Sequence, residues 1–154
     1  MPYATPTQMI ARFTERECIA LSDRAGTGVV DEAQLLAGGL QPASDEIDSY
    51  LGRRYALPLA VGGVPMSTPP LVLVGLCCDI ARYRLTGTEV QETEAIRHRY
   101  QDAIAMLKLL ADGKTVFAEG PDLVGGTNPN GMGASVKANA RCRLFGPGGH
   151  DGGY

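Results

Sequence analysis

The side chains that could carry out chemistry are few, and the strongest pattern among them is the loop that begins at Asp23. An acid at its first position, Gly28 at the sixth and Asp31 at the ninth resemble a calcium-binding EF-hand loop. Ala25 stands at the third position and Gln34 at the twelfth, so a side-chain ligand and the bidentate glutamate are missing. We interpret the loop as a glycine turn in which Asp31 caps the next helix.

The cysteines and histidines show no metal-ligand spacing. They are Cys18, Cys77, Cys78, Cys142, His98 and His150. The adjacent pair, Cys77 and Cys78, falls in an apolar stretch where a thiol behaves as a small hydrophobic side chain. His98 is predicted on a solvated helix face and His150 in a glycine-rich tail. We therefore expect no metal site, no cofactor, no catalytic residue and no enzymatic activity.

Two charged groups remain. The acids Asp45, Glu46 and Asp48 are predicted to form a solvated helix face. Near the C-terminus, Arg141 and Arg143 alternate in a possible strand, which would place both on one side. This pair could contact DNA phosphates or an acidic protein surface, or could belong to an ordinary exposed edge.

The elements that must position these residues are organised around the stretch from Pro69 to Gly113. It is predicted to form two helices joined by a very short turn at 86–88, with the two prolines opening the first helix. The first helix is apolar on nearly all sides, which predicts burial. The second carries one apolar stripe, formed by Ile96, Tyr100, Ala103, Leu107 and Leu110.

Upstream, short helices are predicted after Thr5 and Thr14, each with the spacing of a capping box. The helical pattern from Asp31 to Tyr55 is interrupted at 38–42 by two glycines and a proline. This interruption indicates either two helices or one helix with a kink. Residues 60–68 are predicted to be a loop.

Beyond Gly113 the composition shifts toward glycine, proline and asparagine. Short strands are possible at 115–118, 135–138 and 141–145, and the rest is expected to be loop. We predict a mostly α protein: a small helical bundle at residues 1–113, built on the central helical hairpin. An extended Gly/Pro-rich arm follows at 114–154.

Size and charge limit the function classes. With 154 residues, 44% of them hydrophobic, the chain has enough apolar material for one core. A net charge of -3 argues against a dedicated nucleic-acid binder and against a role at a membrane surface. The first central helix is too short to cross a bilayer. No N-terminal targeting signal is visible, so we expect a cytosolic protein.

Several stretches, taken in order, resemble the head-tail region protein of Mu-like phages and prophages. They are Pro2–Thr5, Ile10–Phe13, Leu21–Arg24, Glu46–Tyr55 with Leu57–Leu59, Cys78–Tyr83 and Arg99–Ala103. The match reaches about Gly113, and the tail matches only loosely at 141–145. Gly38, Gly39 and Pro42 depart from it, because they stand where the family usually has an alanine-rich helix.

The resemblance implies a structural virion protein. Similar proteins act as head-to-tail connectors that form a ring, commonly dodecameric, beneath the portal protein and around the DNA exit channel. The implied partners are other copies of the chain, the portal, other neck or tail-completion proteins, and genomic DNA that passes without sequence-specific binding. The implied location is the neck of the virion, after assembly in the host cytoplasm.

Two groups of contact residues follow from this interpretation. The arm, at Arg141, Cys142, Arg143, Leu144 and Phe145, is predicted to bind the portal or a neighbouring subunit. The exposed face of the second central helix, with Arg97, Asp102 and Lys108, is predicted to pack laterally between subunits. The alternatives are a second neck ring or tail-completion protein and a small DNA-binding regulator; the sequence offers no support for a hydrolase.

Overall fold

The computed structural model describes residues 2–87, 93–118 and 120–125. This part of the chain is mostly helical, as predicted. Its elements are α1 (Pro6–Phe13), α2 (Glu15–Ser22), α3 (Glu32–Gln34), a π-helical segment (Leu35–Leu40), α4 (Gln41–Leu51), β1 (Ala60–Val61), β2 (Val64–Pro65), α5 (Leu71–Leu85) and α6 (Glu94–Ala111). Within the described residues, no helix combines the length and the apolar content needed to cross a membrane.

The predicted N-terminal caps are confirmed. Thr5 and Gln8 form a complete capping box at the start of α1, and the Thr14 hydroxyl accepts from the Glu17 amide at the start of α2. Thr14 also ends α1, with a φ of 97°. A left-handed conformation at a β-branched residue is strained, and here it turns the chain between two consecutive helices. The Asp31 cap of α3 is also present.

The interruption at 38–42 is a π-helical segment that runs directly into α4. The chain therefore stays helical through the joint, which corresponds to the alternative of one irregular helix. The wider π turn accommodates Pro42, which has no amide to donate. A Cβ on Gly39 would lie 2.7 Å from Leu85 Cδ1, so glycine allows this segment to pack closely on α5.

The two central helices are confirmed, but their ends differ from the prediction. Pro69 and Pro70 precede α5 instead of forming its first turn, and Pro70 is its N-cap. The connection is longer than the predicted turn, because α6 begins only at Glu94, where Thr93 is the cap. The cap predicted at residues 88–91 lies outside the described residues. The stripe on α6 is confirmed: Ile96, Ala103, Leu107 and Leu110 are buried, and Tyr100 is partly buried.

The predicted loop at 60–68 is wrong in part, because it contains the antiparallel hairpin of β1 and β2. Gly62 and Gly63 form its turn with φ values of 60° and 80°, and left-handed residues of this kind suit a two-residue hairpin turn. The strand that the sequence left possible at 115–118 is not formed, since this segment is irregular. Phe117 instead packs its ring on Tyr55, with ring centroids 5.3 Å apart.

The described residues after Gly113 still contact the helical body, the last of them being Val124, whose amide donates to the Arg54 carbonyl at 2.9 Å. Asp122 accepts from the amides of Gly62 and Gly63 at 3.0 and 2.7 Å. Leu123 forms a β-bridge with Tyr55. The division into residues 1–113 and 114–154 remains a prediction, and the strands predicted at 135–138 and 141–145 lie outside the described residues.

The core lies where α5 meets the π-helical segment, α4 and α6. Its fully buried members include Met9, Leu35, Leu40, Ile47, Leu51, Leu73, Ile80 and Leu107. The predicted hydrophobic role of Cys77 and Cys78 is confirmed, since both are buried in α5. This arrangement makes α5 the central helix and leaves its first turn at the edge of the core.

Candidate interaction surface

An apolar groove lies beside the first turn of α5, and its volume is about 650 Å³. Its lining is Met66, Thr68, Pro69, Pro70, Leu71, Val72, Met106, Leu110, Thr115, Val116, Phe117 and Ala118. None of these residues carries a charge. The three chain segments that form it are the entry to α5, the C-terminal half of α6 and the irregular segment at 115–118.

The local sequence explains why this groove stays open. The two prolines hold the chain extended before α5, so Leu71 and Val72 begin the helix at its outer end. Leu71 is 83% exposed and Val72 is 47% exposed. On the opposite wall, Val116 is 43% exposed next to the buried Phe117. Such a concentration of exposed aliphatic side chains is characteristic of protein–protein contact sites.

The rest of α5 carries a group of charged side chains that find partners within the chain. Asp79 accepts from Arg12 through both oxygens, at 2.7 and 3.4 Å, and Arg99 Nη1 lies 3.9 Å from it. Arg82 forms an ion pair with Glu17. We call these residues, together with Arg84 and Glu46, the ionic face; the name denotes the whole set and not one side of α5, since Arg82 and Arg84 lie about 160° apart around the helix. The members are Arg12, Glu17, Glu46, Asp79, Arg82, Arg84 and Arg99.

Glu46 connects three helices of this face. One carboxylate oxygen accepts from Arg84 at 2.7 Å, and the other accepts from the Tyr100 hydroxyl at 2.9 Å. Tyr100 also stacks on Tyr83, with ring centroids 4.2 Å apart. Because α4, α5 and α6 each contribute a group, these contacts fix the relative position of the three helices.

The prediction that Asp45, Glu46 and Asp48 form a solvated face is therefore wrong for two of them. Glu46 belongs to the ionic face, and Asp48 accepts a hydrogen bond from the hydroxyl of Tyr3. Their partners come from distant parts of the sequence, which spacing along one helix does not show. Asp45 is exposed and accepts from Gln41 on the same helix.

The environment shifts several pKa values. Burial, followed by the hydrogen bond to Glu46, raises the pKa of Tyr100 to about 12. Burial and the neighbouring Cys77 raise the pKa of Cys78 to about 12. Burial and the Asp48 contact raise the pKa of Tyr3 as well. Each of these shifts favours the neutral form, which is the form suited to structural packing and not to nucleophilic attack.

The loop after Asp23 is held by its own hydrogen bonds. The Asp23 carboxylate accepts from the amides of Thr27 and Gly28 at 2.9 and 2.6 Å. These backbone donors lower the pKa of Asp23. Its oxygens therefore stabilise the glycine turn, in agreement with the turn interpretation. In the described part of the chain, His, Cys, Asp and Glu side chains form no group of three that could hold a metal ion.

The residues predicted for lateral packing are exposed on α6, but they do not share one side of it. Arg97 and Lys108 lie within about 20° of each other around the helix axis, whereas Asp102 lies about 140° away. Asp102 lines a shallow depression with Arg12, Asp79 and Arg99, so it lies beside the ionic face. The predicted arm contacts, 141–145, lie outside the described residues.

Sequence reasoning missed the groove. The signal that could have found it is the pair Leu71 and Val72 directly after two prolines, at a helix start where polar residues are usual. No sequence pattern indicated that residues 116–118 would line the groove, because the sequence predicts an extended arm from residue 114 onward.

Comparisons with known proteins identify the family. The profile of the family described as "Bacteriophage Mu, Gp36" matches residues 3–131, which is most of the chain. The chain belongs to this Gp36 family. It is 37% identical over 111 residues to the "Mu-like prophage FluMu protein gp36" of Haemophilus influenzae, covering 72% of each chain. It is 35% identical over 134 residues to "Gene product J" of Escherichia phage Mu, covering 80% of this chain and 88% of that one.

Membership confirms the resemblance to a protein of Mu-like phages. It identifies a phage protein, present in phage particles or in the infected cell. The Gp36 match includes the whole helical body, the ionic face and the groove. It ends at residue 131, before the predicted arm contacts at 141–145.

Proposed function

We propose that this Gp36-family protein is a structural component of the phage particle that connects head and tail. In this proposal, copies of the chain assemble into a dodecameric ring beneath the portal protein and surround the channel through which genomic DNA leaves. The proposal draws on family membership, on the resemblance to connector proteins and on the surface described above. The ring contains no catalytic step and requires no cofactor.

The observation that carries the proposal is the uncharged groove with Leu71 83% exposed at its edge. An exposed leucine at this position contributes nothing to the core, but it can bury its surface against another protein. Burying one leucine side chain on association is worth about 1.5 to 3 kcal/mol. A ring repeats this contact at every subunit, so that modest single contacts add up to a stable assembly.

The predicted contacts complete this proposal. Arg97 and Lys108 lie on one side of α6 and Asp102 on another, so opposite charges could meet between adjacent subunits. The arm at 141–145 is proposed to reach the portal or a neighbouring subunit. DNA would pass the ring without sequence-specific contacts, which agrees with the net charge of -3.

The experiment is to measure the mass of the protein in solution, alone and after mixing with its cognate portal protein. We expect a small species alone and a ring bound to the portal in the mixture. Leu71→Ser should reduce ring formation on the portal. Val29→Ser is the matched control, because Val29 is also strongly exposed, at 65%, but lies outside the groove.

A second pair of variants tests the arm. Truncation should be made after Gly125 and not after Gly113, since Phe117 and Asp122 both contact the body. Loss of portal binding after this truncation would support the proposed arm contact. No association of the full chain with the portal under any condition would contradict the connector proposal and favour a second neck ring or tail-completion role.

A further inference from the structure

The apolar groove has a candidate occupant within the same chain. We infer that, in the free protein, the groove is occupied by the segment Arg141–Phe145, with Leu144 and Phe145 inserted between α5 and α6. The described residues leave the groove walls open at Leu71, Val72 and Val116. An uncovered apolar surface of this kind is unfavourable in water, and an apolar segment tethered to the same body could cover it.

The sequence after Gly125 offers one segment suited to this position. Leu144 and Phe145 are the only two large apolar side chains that are adjacent there. The other large apolar residues, Met132, Val136 and Tyr154, stand singly among small or polar neighbours. Two adjacent apolar side chains bury more surface for each ordered residue than one, which favours this segment as the occupant.

The position at which the described chain ends also favours a segment of the same chain as the occupant of the groove. The Val124 amide donates to the Arg54 carbonyl at 2.9 Å. The Arg54 guanidinium lies against the backbone of Gly113, a position between the groove residues Leu110 and Thr115. The chain is thus attached close to one end of the groove. The residues from Gly125 to Leu144 could span up to about 60 Å when extended, which is ample for a return to the groove.

The chemistry of the lining fits an aromatic and an aliphatic side chain. Met66 and Met106 provide unbranched thioether groups that adapt to an inserted ring and make favourable sulfur–aromatic contacts. Because the lining has no charge, Arg141 and Arg143 would remain at the rim, where their guanidinium groups stay in water. This places the apolar end of the segment in the groove and its cationic end outside.

The covalent link between the segment and the body favours the chain's own segment over that of a second copy as the occupant of the groove. A segment linked to the body by a short stretch of chain has an effective concentration in the millimolar range. A second copy reaches that concentration only in a crowded assembly. The inference therefore concerns the free protein and does not depend on the connector proposal. Assembly on a partner could replace the internal contact with an external one.

The native Cys142 provides a direct test. Val116→Cys places a second thiol on the groove wall, and mild oxidation with oxidised glutathione would join it to Cys142 if the segment occupies the groove. The other described cysteines, Cys18, Cys77 and Cys78, are buried and should not compete. The control is Val29→Cys, which presents an exposed thiol elsewhere, and alkylation rates correct for any difference in thiol reactivity.

We expect an intrachain disulfide between positions 116 and 142, formed about tenfold or more faster than between 29 and 142 at micromolar protein. Leu144→Ser with Phe145→Ser should remove this difference. Equal rates at the two positions, or disulfides found only between two chains, would overturn the inference. If Val116→Cys fails to fold, Val72→Cys on the opposite wall gives the same comparison.

Discussion

The ionic face and the apolar groove lie on the same central helix, α5, but they use their side chains in opposite ways. On the ionic face, Asp79, Glu17 and Glu46 each meet an arginine from another element. In the groove, Leu71 is 83% exposed and Val72 is 47% exposed. The first region joins elements of the helical body, and the second is an apolar surface that the helical body leaves open.

This difference separates folding from assembly. Removing a member of the ionic face leaves a charge without its partner inside the folded chain, so the stability of the body should fall. Replacing an exposed groove residue removes no contact that holds the described helices together, so the free energy of unfolding of the body should be nearly unchanged while association is lost. The following predictions test this separation, beginning with the largest expected effect on stability.

Asp79→Ala should lower the free energy of unfolding by about 2 kcal/mol. It leaves Arg12 and Arg99 without their common acceptor. The loss should be smaller than the roughly 3 to 5 kcal/mol of a fully buried pair, since the Arg12 side chain is 42% exposed and can reach water. Urea unfolding followed by circular dichroism measures it. Asp45→Ala, at an exposed acid on α4, should stay within about 0.5 kcal/mol of the parent.

Tyr100→Phe should lower the free energy of unfolding by about 1 kcal/mol, because it removes the hydrogen bond to Glu46 but retains the stacking on Tyr83. The double variant Tyr100→Phe with Glu46→Gln tests whether the two side chains stabilise the body together. If the two losses simply add, Tyr100 and Glu46 do not act together and the description of a joint that holds three helices is wrong.

Alkaline pH should lower the free energy of unfolding of the helical body. Tyr100 has a pKa of about 12 when folded and an ordinary value of 10.0, so its contribution is complete below pH 10 and is lost as the pH rises through 12. The pKa of Cys78 is likewise raised from its ordinary value of 9.0, so ionisation of this thiol also lowers the stability as the pH rises. Unfolding midpoints measured from pH 8 to 11.5 should decline, and Tyr100→Phe should decline less steeply.

Leu71→Ser should change the free energy of unfolding by less than about 0.5 kcal/mol, because the side chain is 83% exposed. The same variant should nonetheless be defective in forming the ring on the portal. A clear loss of stability without a loss of association would mean that the groove belongs to the fold and not to the assembly surface.

The sequence predicted those parts of the fold that depend on local spacing. The caps at Thr5, Thr14 and Asp31, the apolar stripe of α6 and the buried thiols of α5 all follow from neighbours within a few residues. Predictions failed where a partner lies far away along the chain. Glu46 meets Arg84 and Tyr100 across the bundle, and Phe117 returns to Tyr55. Glycine and proline content alone could not show that Phe117 and Asp122 contact the body.

The candidate surface illustrates the same limit. The exposed residues Arg97, Asp102 and Lys108 were predicted from their polarity, but polarity does not show which side of α6 each occupies. The groove requires three segments to come together, and one of them was assigned to the arm. The family resemblance succeeded because it depends on the order of many short matches and not on any single contact.

The most direct test of the connector proposal is electron cryomicroscopy of the phage particle that carries this protein. The account predicts a ring of copies directly beneath the portal, with the body of residues 2–125 recognisable and its groove covered by a portal segment or a neighbouring chain. Absence of the protein from the particle, or its location away from the head–tail junction, would contradict the account.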